Sequence, residues 1–484
     1  MKTYSMKILN RANTGLLQVN TERVLQFGGG NFMRGFVDWM LDVFNKKENG
    51  DFGVLLVATR GFGSYIDWQQ QDGLYHILTR GYQNGQTVDS AALVSSVSRI
   101  LNLKEEWDSY LKSAENPAFR FIFSNTTEAG IKFSTTDNFT DIPPVEFPAK
   151  LTIWLYHRYQ FYNGAADKGC IIIPVELIDN NGDMLKKCIL QNADNWNLDA
   201  GFTNWIEQSN TFCNTLVDRI VPGIRENIEV EWDKIGFIDK AMTQGEAFHF
   251  FAIEAPDFVQ QELPLDKVGL NVVFTKDLTP YRTRKVRILN GAHTAMVPVS
   301  YLYGIETVKE TVEHEVLSKF VQQCMFDEII PTLDLPDEEL QQFANDVLDR
   351  FMNPFIRHEL ISISLNSISK FKTRILPSIL EYQHRNGELP QYLVFSMAAT
   401  IHFYKGDIPL NDDQKAIDFI QLEWKNCDKT AAGFSQMSAN ILGWEYGWNT
   451  DLTKVNNLQS TLATFLFDIE KNGMKTSVDT LVNA

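Results

Sequence analysis

The stretch Arg23-Val24-Leu25-Gln26-Phe27-Gly28-Gly29-Gly30 constrains this chain more than any other. A short apolar run stops at three consecutive glycines. In the segment that follows, Phe36, Trp39, Met40, Val43 and Phe44 recur at helical spacing. The reading is strand, glycine turn, helix. Gly28 and Gly30 permit a tight turn and close approach of backbone to a phosphate at a helix N-terminus. The third glycine of a G-x-G-x-x-G turn is displaced to Gly35, and Met33 stands in its place. A glycine-rich turn alone is also simply a turn; its position between strand and helix favours a nucleotide.

The alternation continues along the chain. Val54-Leu55-Leu56-Val57-Ala58 is a second apolar run, ending at Thr59-Arg60. A site for NAD expects an acidic residue at the end of this strand to hold the ribose hydroxyls, and none is present. Arg60 either meets a 2′-phosphate or is a solvated loop residue. Residues 75–81 and 87–101 read as strand-rich excursions. Phe121-Ile122-Phe123 runs into Ser124-Asn125-Thr126-Thr127-Glu128, the small polar residues that the carboxyl edge of a parallel sheet requires. An aromatic helix spans 146–163. The apolar run Cys170–Val175 ends in Glu176-Leu177, and a helix follows from Asn181-Gly182. This order predicts a parallel, doubly wound sheet.

Between 225 and 275 the pattern changes. IEVEW, AFHFFAIEA and VGLNVVF read as strands without helices between them, hence antiparallel additions. After Thr279-Pro280, helical stretches are expected at 281–303, 306–327, 337–351, 355–364, 372–385, 391–404, 412–425 and 455–472. The expected organisation is an α/β, Rossmann-like domain over 1–278 and an all-α domain over 279–484, which its 484 residues are long enough to build.

A net charge of −17 disfavours nucleic acid and anionic membrane as partners. It permits a small anionic ligand in a local basic pocket. The five cysteines are odd in number, dispersed and without a CxxC pair, which fits a reducing cytoplasm and no thiolate zinc site. The eight histidines show neither HxH nor HExxH spacing, so no metal site is expected. No apolar run has the length of a membrane span, and the N-terminal segment lacks the apolar core of a secretory signal. Oligomeric state is left open.

Lys285, Asn290 and His293 form the strongest candidate for chemistry. On an α-helix turning about 100° per residue, Asn290 and His293 fall roughly 140° and 80° from Lys285. An amine, an amide and an imidazole directed into one cavity form a proton-transfer and carbonyl-polarising set. The alternative is an exposed basic helix, since Arg282, Arg284 and Arg287 lie close by.

These residues carry a resemblance. Lys285-x4-Asn290-x2-His293 matches the signature of the mannitol dehydrogenase family, the polyol-specific long-chain dehydrogenases. The turn from Gly28 to Phe36 is similar to that family's GxGxFxR segment. Val217–Pro222 is similar to its VDRIxP segment, and Arg350–Ile356 to its RFxNPxI segment. Within the family, Ser124–Ile131, Pro174–Ile178 and Ser362–Lys372 look most like the branch that acts on hexuronates. The resemblance implies a metal-independent, NAD-linked oxidoreductase with a sugar acid as substrate. It implies Lys285 as acid/base, its amine made a better base by partial burial and by the neighbouring arginines. Asn290 would stabilise oxyanion character. His293 would bond the reacting oxygen or an adjacent hydroxyl, unless it is a satisfied core histidine.

Gly28, Gly29, Gly30, Asn31, Phe32, Arg34, Arg60, Thr126 and Glu128 would line the cofactor. Glu176, Asp218, Lys370 and Arg374 would meet the substrate, with Lys370 and Arg374 as the carboxylate's cations. For Asp218 a structural ion pair, and for Lys370 and Arg374 a solvated helix face, are the competing readings. One departure stands out. The mannitol type carries Asp-Asn where this chain has Glu176-Leu177, so one amide of an expected pair is missing.

Overall fold

The structure, a computed structural model, describes residues 6–58, 61–126, 129–224, 226–408 and 410–484. The chain divides into two compact units, Met1–Arg80 with Val88–Leu278 and Gly81–Thr87 with Thr279–Ala484.

The first unit is built on six strands: β1 (Glu22–Phe27), β2 (Gly53–Ala58), β3 (Val97–Asn102), β4 (Phe121–Ser124), β5 (Ile171–Pro174) and β6 (Thr211–Phe212). All pair in parallel, in the order β3-β2-β1-β4-β5-β6. The chain starts in the middle, works outward to one edge, then returns to build the other half. The switch point lies between β1 and β4, and ligands of such sheets bind at the carboxyl ends there.

Side chains alternate between two cores because the strand period is two. Val24, Val54, Leu56, Phe121, Phe123, Ile171 and Ile173 face one layer, with Phe36, Met40 and Leu41 from the helix start and α2 (below). Leu25, Phe27, Leu55, Val57, Ile122 and Ile172 face the other, with Tyr110, Trp154, Leu185 and Phe202. Both faces are covered, which is why these strands read as unbroken apolar runs. Each such fully buried side chain contributes about 1.5–3 kcal/mol. The helices are α1 (Asn31–Arg34), α2 (Val37–Glu48), α3 (Trp107–Ser113), α4 (Phe147–Phe161), α5 (Asn181–Asn195) and α6 (Ala200–Ser209).

Several expectations need correction. Ile228–Ile235, read as a strand, is a helix, α7. Its alternation of apolar and acidic residues also suits a helix, and Gly236 in the left-handed region (φ 79°) ends it. The added strands are mixed: β7 (Asn214–Asp218) and β8 (Phe250–Glu254) are antiparallel, but β8 and β9 (Val272–Thr275) are parallel. The hairpin Tyr75–Gln83/Gln86–Val94 turns at Asn84 and Gly85, both with positive φ, the two-residue turn that matches strand twist. Its tip, Gly81–Thr87, belongs to the second unit, where the Asn84 N–H donates to Asp349 Oδ2 at 2.6 Å.

The second unit is helical. Its first segment is α8 (Thr279–Arg284), a π-helical turn over Lys285–Asn290, and α9 (Gly291–Tyr303). Then come α10 (Glu315–Gln322), α11 (Asp337–Phe351), α12 (Ser367–Arg374), α13 (Leu376–Asn386), α14 (Gln391–Phe403), α15 (Ala431–Leu442) and α16 (Leu458–Val482). α9 and α14 are apolar nearly all round and pack on each other and on α16. Buried Glu328 accepts the N–H groups of Tyr392 and Leu393 at 2.9 and 2.8 Å, capping α14; burial pushes its carboxyl up to about 8. The helix expected over 355–364 is confined to Leu360–Ile363. Ahead of it the chain after Pro354 is not helical, and there the Val308 N–H donates to the His358 carbonyl at 3.0 Å. The stretch at 372–385 breaks at Ile375, before Pro377. α15 had no counterpart among the expected helices.

Candidate functional site

In the first unit the glycine turn follows β1 directly. Gly28 has φ 93°, and a Cβ there would stand 2.5 Å from the Asn125 carbonyl oxygen at the end of β4. The two central strands thus meet backbone to backbone at the switch point. At Gly30, which precedes α1, a Cβ would meet nothing within 4 Å. That open side, beside the unpaired N–H groups of a helix start, fits a dinucleotide's pyrophosphate.

Around the turn, polar groups brace the backbone. The Gly29 N–H donates to the Tyr65 hydroxyl at 3.1 Å. Arg34, expected to meet the cofactor, is turned inward instead: it donates to the Ala241 carbonyl at 2.6 Å and to Asn31 Oδ1 at 2.7 Å. Phe32 stacks on Phe36 with ring centroids 4.8 Å apart. Beneath the turn, Asp38 Oδ2 accepts from Gln26 Nε2 at 3.3 Å, and burial pushes the Asp38 carboxyl up to about 7. Arg60 and Glu128 lie outside the described residues.

Glu176, expected to meet substrate, is buried and ties two strand ends together. Its carboxylate accepts from Ser124 Oγ, the Thr126 N–H and Thr126 Oγ1, each at 3.0 Å. Thr126 is thereby fixed as well. Leu177, one residue on, is 64% exposed, so the missing amide is replaced by an uncovered apolar side chain at the carboxyl edge. Asp218 is buried at the end of β7. Its neighbour Arg219 donates to the Glu246 carbonyl at 2.9 and 2.8 Å and to the Gly35 carbonyl at 2.6 Å. It lies 4.1 Å from the Trp39 ring, and burial pushes its guanidinium down to about 10. The VDRIxP segment therefore locks the entry to α2.

In the second unit the π-helical turn changes the geometry of the candidate set. Its hydrogen bonds run between residues five apart. Lys285 and Asn290 thus stand about one turn apart along one face, instead of the roughly 140° of an α-helix. The flanking arginines serve packing: Arg284 pairs with Glu339 and lies 4.3 Å from the Phe343 ring, and Arg287 donates to Ser378 Oγ at 3.1 Å.

His293 follows on α9. Its ring sits 4.5 Å from that of Phe351 and 5.1 Å, edge-on, from that of His358. Its Nε2 is buried without a hydrogen-bond partner. Burial first, then the charges of His358, Arg350, Arg374 and Lys370, hold its imidazole well below the usual histidine range. Arg374 Nη1 donates to Thr294 Oγ1 at 3.4 Å, and that hydroxyl donates to the Asn290 carbonyl at 2.8 Å. Lys370 Nζ donates to the Ile363 carbonyl at 2.8 Å. Burial lowers both cations' pKa; for Lys370, Arg374 adds to the lowering and Asp412 opposes it. The second unit thus brings Lys370 and Arg374 to His293.

Sequence reasoning missed Arg350, Phe351 and His358 as neighbours of His293, although two of them lie inside the quoted RFxNPxI segment. It also missed Asp38 and Gln26, for which the sequence offered no signal. Among the described residues no group of three or more His, Cys, Asp or Glu could hold a metal ion, and no helix is long and apolar enough to cross a membrane.

Comparison with known proteins agrees with this architecture. A model described as the mannitol dehydrogenase Rossmann domain matches residues 22–267, and one described as the mannitol dehydrogenase C-terminal domain matches 277–469. Relatives include the altronate oxidoreductase of Bacillus subtilis, 43% identical with 95% of each chain covered. That of Shigella flexneri is 44% identical over 98% of this chain and 99% of its own. Among solved structures, mannitol 2-dehydrogenase of Pseudomonas fluorescens, in a complex with NAD and D-mannitol, matches with a TM-score of 0.62 at 21% identity, covering 98% and 99% of the two chains. A substrate-free D-sorbitol dehydrogenase matches with a TM-score of 0.76 at 20% identity, covering 97% and 100%. With a doubly wound sheet, a helical second unit and both family models matched in order, this chain belongs to the mannitol dehydrogenase family.

Proposed function

We propose that this protein is an NAD-dependent tagaturonate reductase that interconverts D-tagaturonate and D-altronate in hexuronate breakdown. The observation that carries the reading is the environment of His293. Two half-buried cations, Arg374 and Lys370, whose hydrogen bonds go to the Thr294 hydroxyl and the Ile363 carbonyl, bear on an imidazole whose Nε2 is buried and unpartnered. Gathering partly buried cations around a neutral ring is costly unless an anion completes the site. A substrate carboxylate is such an anion, and a simple polyol has none. The relatives named altronate oxidoreductase support the same choice. The five free cysteines fit a cytoplasmic protein.

In this reading the first unit seats the dinucleotide at the open side of Gly30 and the second unit seats the substrate. When bound, the nicotinamide supplies or takes up the hydride. Lys285 gives a proton to the oxygen of the ketone as it becomes an alkoxide, and accepts the hydroxyl proton in the reverse direction. The Asn290 amide donates to the same oxygen; the π-helical turn sets the two groups on one face. The neutral His293 ring bonds a substrate oxygen through Nε2. Lys370 and Arg374 hold the carboxylate. No step calls for a metal ion.

Initial rates of NADH oxidation with D-tagaturonate, D-fructuronate and D-fructose test this. Tagaturonate is expected to give the highest kcat/KM. Fructose, which leaves the cations unanswered, should fall about 100-fold or more below it. Good turnover of fructose with none of either uronate would contradict the reading; preference for fructuronate would move it to the neighbouring activity of the family.

A further inference from the structure

His358 belongs to none of the groups assigned so far. It lies in the non-helical stretch between Pro354 and Leu360. Its carbonyl accepts the Val308 N–H at 3.0 Å, and Glu359 bridges Thr307, so the backbone at this point is fixed from two sides. On either side, Arg357 and Glu359 are exposed and paired with each other at 3.3 Å. His358 itself is half-buried and directed the other way, its ring edge-on to His293 at 5.1 Å and an interplanar angle of 76°. Phe351 closes the other side of His293 at 4.5 Å. A surface histidine would be solvated like its two neighbours. This one is withdrawn beside the only other imidazole of the cation cluster, and burial lowers its pKa.

We infer that His358 is a further substrate-binding residue, which bonds the carboxylate-bearing end of the sugar acid and sets selectivity against neutral ketoses. The inference rests on the proposed reading of this site as a sugar-acid pocket. A neutral imidazole offers one N–H donor, and the carboxylate held by Lys370 and Arg374 has lone pairs to spare for it. Placed beside His293, it lets one ring address the acid end while His293 addresses the adjoining oxygen, without adding a third charge to those of Lys370 and Arg374. The partner class is therefore a hexonate or keto-hexonate, not a phosphate ester: a dianion would call for more fixed charge, and burial disfavours the charged form of both rings here.

The test is a comparison of wild type with His358→Ala and His358→Asn, using the full chain with NADH. For D-tagaturonate the alanine variant is expected to raise KM about tenfold to a hundredfold, the worth of one hydrogen bond to a charged group, with kcat within about twofold. The asparagine variant, which keeps a donor, should recover part of the loss. kcat/KM for D-fructose should stay unchanged, and so should the NADH dissociation constant. If the alanine variant fails to fold, the asparagine variant and His358→Gln carry the same comparison. A tagaturonate KM unchanged in every variant would overturn the inference, as would an equal loss on tagaturonate and fructose. Failure of the sugar-acid reading itself shows separately, as wild-type enzyme inactive on uronates.

Discussion

Asp38 shows how much a single residue under the glycine turn can weigh on this protein. It is wholly buried in the first turn of α2, with one oxygen on Gln26 and Oδ1 without a hydrogen-bond partner. Its carboxyl, ordinarily near 3.8, is pushed up to about 7 by burial, against the opposing effects of Gln26 and Arg34. Between those two values the native protein holds a proton that the unfolded chain has released. The native state binds more protons there, so stability falls as pH rises through the window and levels off above it. The contribution is at most about 4 kcal/mol, the full span of the shift. Asp38→Asn removes the titration while keeping the shape. Urea unfolding near pH 3.5, below the window, should find variant and wild type nearly alike, whereas at pH 8 the variant should be the more stable; equal stability at both pH values would show that Asp38 ionises as an ordinary carboxylate. Neither this residue nor the bracing role of Arg34 was legible in the sequence. A buried acid and a solvated one look the same until the fold decides which side of the helix faces inward.

At the scale of elements, β1, β2, β4 and β5 were readable because each is covered on both faces and so runs apolar without interruption; β3, broken by Ser98 and Arg99, showed only as part of a strand-rich excursion, and the two half-buried residues of β6 gave no apolar run to read. The glycine turn was readable because only glycine tolerates the φ of 93° at Gly28 so close to the Asn125 carbonyl. Ile228–Ile235 was misread because a short stretch of alternating apolar and acidic residues satisfies both periods. The π-helical turn at Lys285–Asn290 was invisible for a different reason: no side-chain pattern marks one extra residue in a helical turn. Its consequence is large, since such turns place side chains that an α-helix would hold apart. Inserting one alanine after Val286 would make Lys285 and Asn290 six residues apart and carry Lys285 about 120° round from Asn290 on an α-helical path. Turnover is expected to fall about 100-fold or more, the worth of a misplaced acid/base, while the far-ultraviolet circular dichroism stays that of a folded helical protein. Near-normal turnover in the insertion variant would mean that the two residues need not share a face.

For the molecule as a whole, a net charge of −17 coexists with a local cluster of cations around His293. Overall charge discouraged nucleic acid and anionic membranes as partners; in the proposed reading the local cluster selects the small ligand. The boundary near 278 follows a change from alternating strands and helices to helices alone, which the sequence displays openly. The return of Gly81–Thr87 to the second unit does not show in it, because a hairpin tip of turn residues gives no sign of where it docks. The division of labour between units yields the sharpest expectation. If the first unit holds the dinucleotide and Lys285 in the second moves the proton, then Lys285→Ala should separate binding from chemistry. The measurement is NADH affinity by fluorescence alongside tagaturonate reduction in the same preparation. The account predicts an unchanged dissociation constant and a kcat lowered about 10²–10⁴-fold; turnover equal to that of wild type would contradict it.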